Sequence, residues 1–411
     1  MGIIAVLISL TIMIILIRKG CKLSFCIWSA LPIMAFLSGL SLEEIGQSLA
    51  TTVTSSVSHN LLLAILGIGV LGEILYYNGS IDGALDAMKK IIKEPRLIIT
   101  ASPAFIGLMP IPGGAYLSAP LVKEIGDDIN LSSEKMSLAN VFYRHIFYFF
   151  FPLYPSLIFF LEVTEVPLYY LLLFSVLPFL IAFAQSFRTV FAGLDSINNH
   201  NINTTGTTWS YLLLFLYNVS PILVALIIPL SMGWPYYTGL AVAVILATVQ
   251  RINRFSGTEL IKRGKILISG IKVNILITIA GILVFKDLVV FSEALNPLAV
   301  LLKEYGFPII LIALIIPYLS GVVTGNQIAA LGVSLPLLLP LLPGGEAEWP
   351  MLSLAYLSSL MGYMVSPLHL CPVLTADFFK VHLHVVLYRL QLMSIGVLVS
   401  STVIAWAIGL F

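Results

Sequence analysis

Charge is scarce in this sequence. Asp, Glu, Lys and Arg together make up 10% of its 411 residues, against about 25% in a soluble domain, which excludes an ordinary water-soluble fold. The net charge is +1 and no Lys/Arg run is dense, so a nucleic-acid partner is not expected. Cysteine is scarcer still. Cys21, Cys26 and Cys371 are too few and too scattered for a disulfide framework or a zinc module. No basic residue precedes the apolar stretch MGIIAVLISLTIMIILI, and no small-residue cleavage site follows it. The stretch therefore reads as a retained first span rather than a signal peptide. Met1-Gly2 opens a myristoylation-like pattern that Val6 breaks. GxSxG, HExxH and paired intramembrane aspartates are all missing, which leaves an intramembrane hydrolase as a distant alternative. The chain is not expected to be an enzyme.

What is abundant is apolar surface: 59% of residues are hydrophobic and the mean hydropathy is +1.03. Runs of bilayer-spanning length fall at 2–17, 23–40, 59–77, 97–122, 141–161, 166–187, 209–232, 236–249, 267–285, 307–342, 350–366 and 385–410. The halves also repeat. At an offset of 214, Asn60 pairs with Asn274, Gly67 with Gly281, Gly107 with Gly321 and Ala115 with Ala329. At 215, Pro152-Leu153 pairs with Pro367-Leu368. Duplicated units in a membrane chain point to a transporter with alternating access.

Segments 97–122 and 307–342 carry Pro and Gly in their middles, as PAFIGLMPIPGGA and PYLSGVVTGNQIA. Bare backbone at membrane depth survives only inside protein or against a cavity, so both segments read as re-entrant hairpins. Charge supports this reading. With an external N-terminus and non-crossing hairpins, all of the 21 Lys and Arg except Lys286 and Lys303 lie in cytoplasmic loops or near cytoplasmic helix ends. The expected fold is an all-α polytopic membrane protein of about ten transmembrane helices, built from two inverted-topology repeats. Each repeat has five crossings and one hairpin. The first spans 1–200, with hairpin 97–122 and a broken helix at 134–161; the second spans 201–411, with hairpin 307–342 and a broken helix at 350–368. Segments 80–94 and 288–303 are expected to lie along the interface. Both termini are expected outside the cell membrane.

Inverted repeats with interrupted helices place a site near the midplane, where broken ends offer N–H groups to an anion and carbonyls to a cation. Four interruptions qualify. The hairpins turn at Pro110-Ile111-Pro112-Gly113-Gly114-Ala115 and Thr324-Gly325-Asn326-Gln327, and the helices after them break at Pro152-Leu153-Tyr154-Pro155 and Ser366-Pro367-Leu368-His369. Arg144 either snorkels to the inner interface or faces the cavity and balances an anion. His145 is a satisfied helix-end histidine or a carrier of a coupling proton, and Asp377 is a weaker coupling candidate. Glu73 and Asp287 read as solvated helix ends. His369, Cys371, His382 and His384 cluster in sequence but match no zinc spacing, so no metal is expected, nor any cofactor beyond a coupling cation.

The motifs PAFIGLMPIPGGAYLSAPLV (103–122), FYRHIFYFFFPLYPSLI (142–158), GVVTGNQIAALGVSLPLLLPLL (321–342) and GYMVSPLHLCPVLTADFF (362–379) resemble a prokaryotic membrane family called domain of unknown function 401. That family is grouped with the ion-transporter superfamily. The resemblance implies two opposed hairpins, a scaffold with a moving transport domain, and often a homodimer; relatives include sodium–dicarboxylate symporters and gluconate and citrate permeases. Dicarboxylate symporters carry Ser-Asn-Thr motifs at both hairpin tips. Here only Thr324-Gly325-Asn326 keeps comparable polar groups, so the resemblance does not imply a symmetric two-sodium site, and protons stand beside sodium as the coupling ion. The expected function is import or export of a small organic anion, a carboxylate, coupled to sodium or protons. The alternatives are inorganic-anion export and sodium/proton antiport.

Overall fold

The computed structural model describes residues 2–108, 114–194, 207–251, 257–293, 297, 300, 304–305, 308–342 and 344–409. Every regular element among them is helical. Five helical segments are long and apolar enough to cross a membrane: Ser56–Tyr77, Leu168–Phe191, Thr208–Met232, Gly257–Phe291 and Leu383–Ile408. Shorter apolar helices accompany them along the chain, and large residues such as Phe36, Leu173 and Ile245 lie exposed, as expected where lipid is the solvent.

In chain order the first half comprises α1 (Gly2–Arg18), α2 (Leu23–Leu37), α3 (Leu42–Thr54), α4 (Ser56–Tyr77), α5 (Ser80–Ile91), α6 (Pro95–Gly107), α7 (Gly114–Asp128), α8 (Ser133–Arg144), α9 (Pro155–Thr164) and α10 (Leu168–Phe191). The second half comprises α11 (Thr208–Met232), α12 (Tyr236–Val249), α13 (Gly257–Ser269), α14 (Val273–Phe291), α15 (Ile309–Thr324), α16 (Gln327–Leu338), α17 (Trp349–Met364), α18 (Leu370–Phe379) and α19 (Leu383–Gly409). Local chemistry sets several starts. Ser41 and Glu44 form a reciprocal capping box on α3, Ser132 caps α8 and Asn326 caps α16. Each satisfies N–H groups that the first turn leaves open.

The packing is reciprocal between the halves. Helix α4 packs against α12 and α13, while α14 packs against α2 and α3. The glycines paired by the sequence repeat sit in these contacts. A Cβ on Gly67 would lie 2.9 Å from Leu240 of α12, and one on Gly281 would lie 2.9 Å from Ile27 of α2. Glycine lets the two backbones approach closely, as small residues do between membrane helices. The Trp28 indole N–H donates to the Ile277 carbonyl at 2.9 Å across the second of these contacts.

A polar knot centred on the buried Arg263 ties α4, α11, α12 and α13 together. Arg263 donates to Glu259 at 2.8 Å, to the Asn78 side chain at 3.0 Å and to the Thr248 carbonyl at 2.7 Å. Arg251 donates to the Asn78 carbonyl at 2.7 Å and to Asn218 at 2.6 Å. Glu73 and Asp287 are ion-paired rather than merely solvated: Glu73 meets Lys272 at 2.8 Å and Asp287 meets Lys286 at 3.1 Å. Segment 80–94 forms a helix as far as Ile91, and this helix, α5, packs against α11 with Ala84 and Ala87 fully buried. Most of 288–303 beyond Glu293 lies outside the described residues.

Candidate functional site

The two arms of each interrupted segment pack on one another, α6 on α7 and α15 on α16. The second turn is fully described. Helix α15 ends at Thr324, Gly325 adopts φ +60°, and the Asn326 side chain accepts from the Ala329 N–H at 3.0 Å to start α16. In the first turn Gly114 and Ala115 open α7 and are buried. Pro112 and Gly113, with Pro110 and Ile111, lie outside the described residues.

Both helices that follow are broken. The second breaks where expected, with α17 ending at Met364 and α18 starting at Leu370. The first breaks earlier than Pro152. Helix α8 ends at Arg144, a 3-10 turn covers Ile146–Phe149, and helix resumes only at Pro155. A proline at the first helical position needs no N–H partner, so Pro155 marks the restart, whereas nothing in the aromatic run before it marks the stop. The resumed helices match closely. Each has ten residues, Tyr154 and His369 are their N-cap residues, and Glu165 and Lys380 end them at φ +57° and +55°. All these positions differ by 215 in number (154 to 369, 165 to 380).

The described parts of the four interruptions meet. Gly107 lies against the Arg144 backbone carbonyl so closely that a Cβ there would overlap it, and a Cβ on Gly114 would overlap the Arg144 guanidinium. Arg144 is 5% exposed, so its head lies inside the protein beside the first hairpin tip rather than among lipid headgroups. On the other side, a Cβ on Gly325 would come within 2.7 Å of Leu368 and 3.1 Å of the His369 backbone nitrogen. Ser366 donates to the Val322 carbonyl at 2.6 Å. Cross-links join the halves: Ser156 donates to Gln327 Oε1 at 2.8 Å, and Asn140 donates to Thr375 at 2.9 Å and to the Ala115 carbonyl at 3.1 Å. The Tyr154 hydroxyl donates to the Gly107 carbonyl.

Aromatic rings and histidines fill the junction. His145, 1% exposed, caps the end of α8 and places Nδ1 2.7 Å from the Val141 carbonyl. Its ring centroid lies 4.7 Å from that of His369 and 5.1 Å from that of Tyr148. Tyr363 packs tilted against His369 with ring centroids 3.9 Å apart, and Tyr148 against Tyr154 at 3.7 Å. Thr324, Gln327 and Ser366 are buried here, while Pro367 is exposed. Asp377 stands apart. It is exposed, and it accepts from Tyr116 at 2.9 Å and pairs with Lys380 at 3.2 Å.

Some residues of the junction carry no signal in the sequence read alone. Asn140, Ser156, Tyr148 and Tyr363 belong to it, and Cys371 lies within electrostatic reach of Arg144. Glu162, which matches Asp377 at an offset of 215, lies near Asn60; the repeat alone could have singled it out. His382 and His384 stack on each other at 5.5 Å, and the potential ligand atoms near His369 and Cys371 come instead from His145. A separate cleft of about 300 Å³, lined by Lys22, Ser24, Asn274, Thr278, Asn326 and Ile328 among others, reaches the second hairpin tip.

No curated protein matches the chain. Both hairpins, both helix breaks and the helices that brace them fall within one family match covering residues 1–409, and the chain belongs to that family, described as Protein of unknown function (DUF401).

Proposed function

We propose that this protein is a secondary active transporter of a small carboxylate, coupled to sodium or protons and working by alternating access in the cell membrane. The observation that carries the proposal is the meeting of two hairpin tips and two helix breaks around a buried arginine. An arginine at membrane depth is costly and marks a solute pathway more often than it serves packing. Its planar fork suits a carboxylate, and the neutral hydroxyls and amides of Tyr154, Thr324, Asn326, Gln327 and Ser366 add donors and acceptors. Carbonyls freed at the broken helix ends suit a sodium ion.

Alternation follows from the repeat. On this reading the crossings are α1, α2, α4, α8 with α9, and α10, then α11, α12, α14, α17 with α18, and α19. The hairpins α6–α7 and α15–α16 enter and leave on one side. Five crossings per half turn the second copy upside down. The reciprocal contacts of α4 and α14, and the equal lengths and left-handed ends of α9 and α18, support that two-fold relation. So does the resemblance to the ion-transporter superfamily, which also suggests a homodimer. Lys22 in the cleft beside Asn326 gives an anion a favourable entry, since a single charge at a narrow mouth raises the local concentration of its counter-ion.

Thermal stability of the purified protein in sodium or potassium buffer, against a panel of small carboxylates and oxyanions, tests this proposal. A ligand at one hundred times its dissociation constant stabilises the native state by ~2.7 kcal/mol. The expected result is a carboxylate-specific rise in melting temperature that Arg144→Gln removes. A rise with sodium or pH alone favours the antiporter, and a rise with no need of Arg144 removes the site assignment.

A further inference from the structure

We infer that His145, His369 and Cys371 form a buried site for a soft monovalent metal ion, of the Cu(I) type, that joins the two helix breaks. One ligand atom from each of these residues lies within 4.8 Å of the other two. The three come from both halves: His145 closes α8, His369 precedes α18, and Cys371 sits in its first turn.

The two imidazoles are prepared in different ways. His145 has Nδ1 against the Val141 carbonyl at 2.7 Å, which assigns its proton to Nδ1 and leaves the Nε2 lone pair for a ligand. Metal-binding histidines are commonly oriented by such a carbonyl. His369 is 2% exposed, and neither of its ring nitrogens makes a hydrogen bond among the described residues. The Tyr363 and Met364 carbonyls flank the ring without hydrogen-bond geometry. A buried imidazole left in this way calls for a partner, and a metal ion supplies one.

Charge selects the ion. Metal binding displaces the Cys371 thiol proton to solvent and forms a metal–sulfur bond, with no change in oxidation state. The thiolate forms within electrostatic reach of the Arg144 guanidinium, and the bound metal itself holds the sulfur in that form. A monovalent ion then cancels the thiolate charge and leaves only that of Arg144. A divalent ion would add a second buried positive charge next to it, at a desolvation cost of several kcal/mol. One thiolate and two imidazoles also suit a soft d10 ion with three ligands.

The test stands apart from any transported carboxylate. Full-length protein carrying Cys21→Ser and Cys26→Ser, so that Cys371 is the one thiol, is titrated under reducing conditions with Ag(I) and with chelator-buffered Cu(I). We expect one ion per chain and an X-ray absorption spectrum with sulfur and nitrogen donors. His369→Asn or Cys371→Ser, each checked for an intact melt, should weaken binding by more than about tenfold, the lower bound for losing even an outer-shell partner. Zn(II) should not displace the ion at equal concentration. No binding in competition with the chelator, binding indifferent to His369 and Cys371, or displacement by Zn(II) would each overturn the inference.

Discussion

The backbone of Gly107 lies directly against the backbone carbonyl of Arg144, with no space for a side chain between them. In the other half, a Cβ on Gly321 would lie 2.6 Å from the Ser359 carbonyl. Gly107 and Gly321 differ by 214 in number, and Arg144 and Ser359 by 215. Each glycine thus sets how deeply its hairpin sits beside its broken helix. In the first half the contact does more, since the Arg144 side chain then crosses Gly114 at the hairpin tip.

Gly107→Ala should therefore destabilise the protein. The new methyl group meets backbone, which cannot rotate away, and overpacking of this kind costs about 1–3 kcal/mol or more. Gly46→Ala is the control. Gly46 is a helical residue with nothing within 4 Å of a Cβ, and alanine there gains up to about 1 kcal/mol of helix propensity. A detergent melt should fall for the first variant and hold or rise for the second.

The bond from Ser156 to Gln327 is the direct polar tie between the first broken helix and the second hairpin tip. Ser156→Ala leaves a buried amide oxygen one donor short, at a cost of about 1–3 kcal/mol. We expect a lower melting temperature and faster hydrogen exchange at the Gln327 turn, with Gly46→Ala unchanged at that turn.

Much of the junction was legible in the sequence, and the gaps have physical causes. The glycines and prolines of 103–122 and 307–342 marked the interrupted segments because they break helices, and Pro152 and Pro155 marked the break in the helix that follows the first of them. The end of α8 at Arg144 was not legible. No helix-breaking residue stands between Arg144 and Phe151, and the stop accompanies the tertiary contact with Gly107. The meeting of His145 with His369 was hidden in the same way, because they are far apart in the chain. The repeat extends further: Tyr154 and His369 share a place at an offset of 215, as do α3 and α13 in their residue ranges (42 to 257, 54 to 269).

The capping box on α3 gives a pH-dependent end to that helix. Glu44 accepts from the Ser41 backbone N–H at 2.7 Å and from its hydroxyl at 2.8 Å, and these bonds hold its carboxyl below the ordinary value. A lowered folded-state pKa means the cap is fully present above the ordinary value and is lost as pH falls through the lowered one. Corrected for intrinsic rate, exchange of the first-turn amides of α3 should quicken only in that acid range. In Ser41→Ala it should be faster at neutral pH and less sensitive to acid.

The proposed inversion puts α3 outside and α13 inside. Gly46 and Gly264 both have open space around a Cβ. In intact cells, Gly46→Cys should react with a membrane-impermeant maleimide, while Gly264→Cys should react only after lysis. Labelling of both from the same side would remove the inverted topology.

Counterflow in proteoliposomes tests the central claim most directly. Vesicles are loaded with the carboxylate that gives the largest thermal shift and diluted into a trace of its labelled form. A carrier predicts transient accumulation of label above equilibrium, lost in Arg144→Gln protein that still melts normally. Label that only equilibrates, or accumulation untouched by Arg144→Gln, would contradict a carboxylate transporter built around this junction.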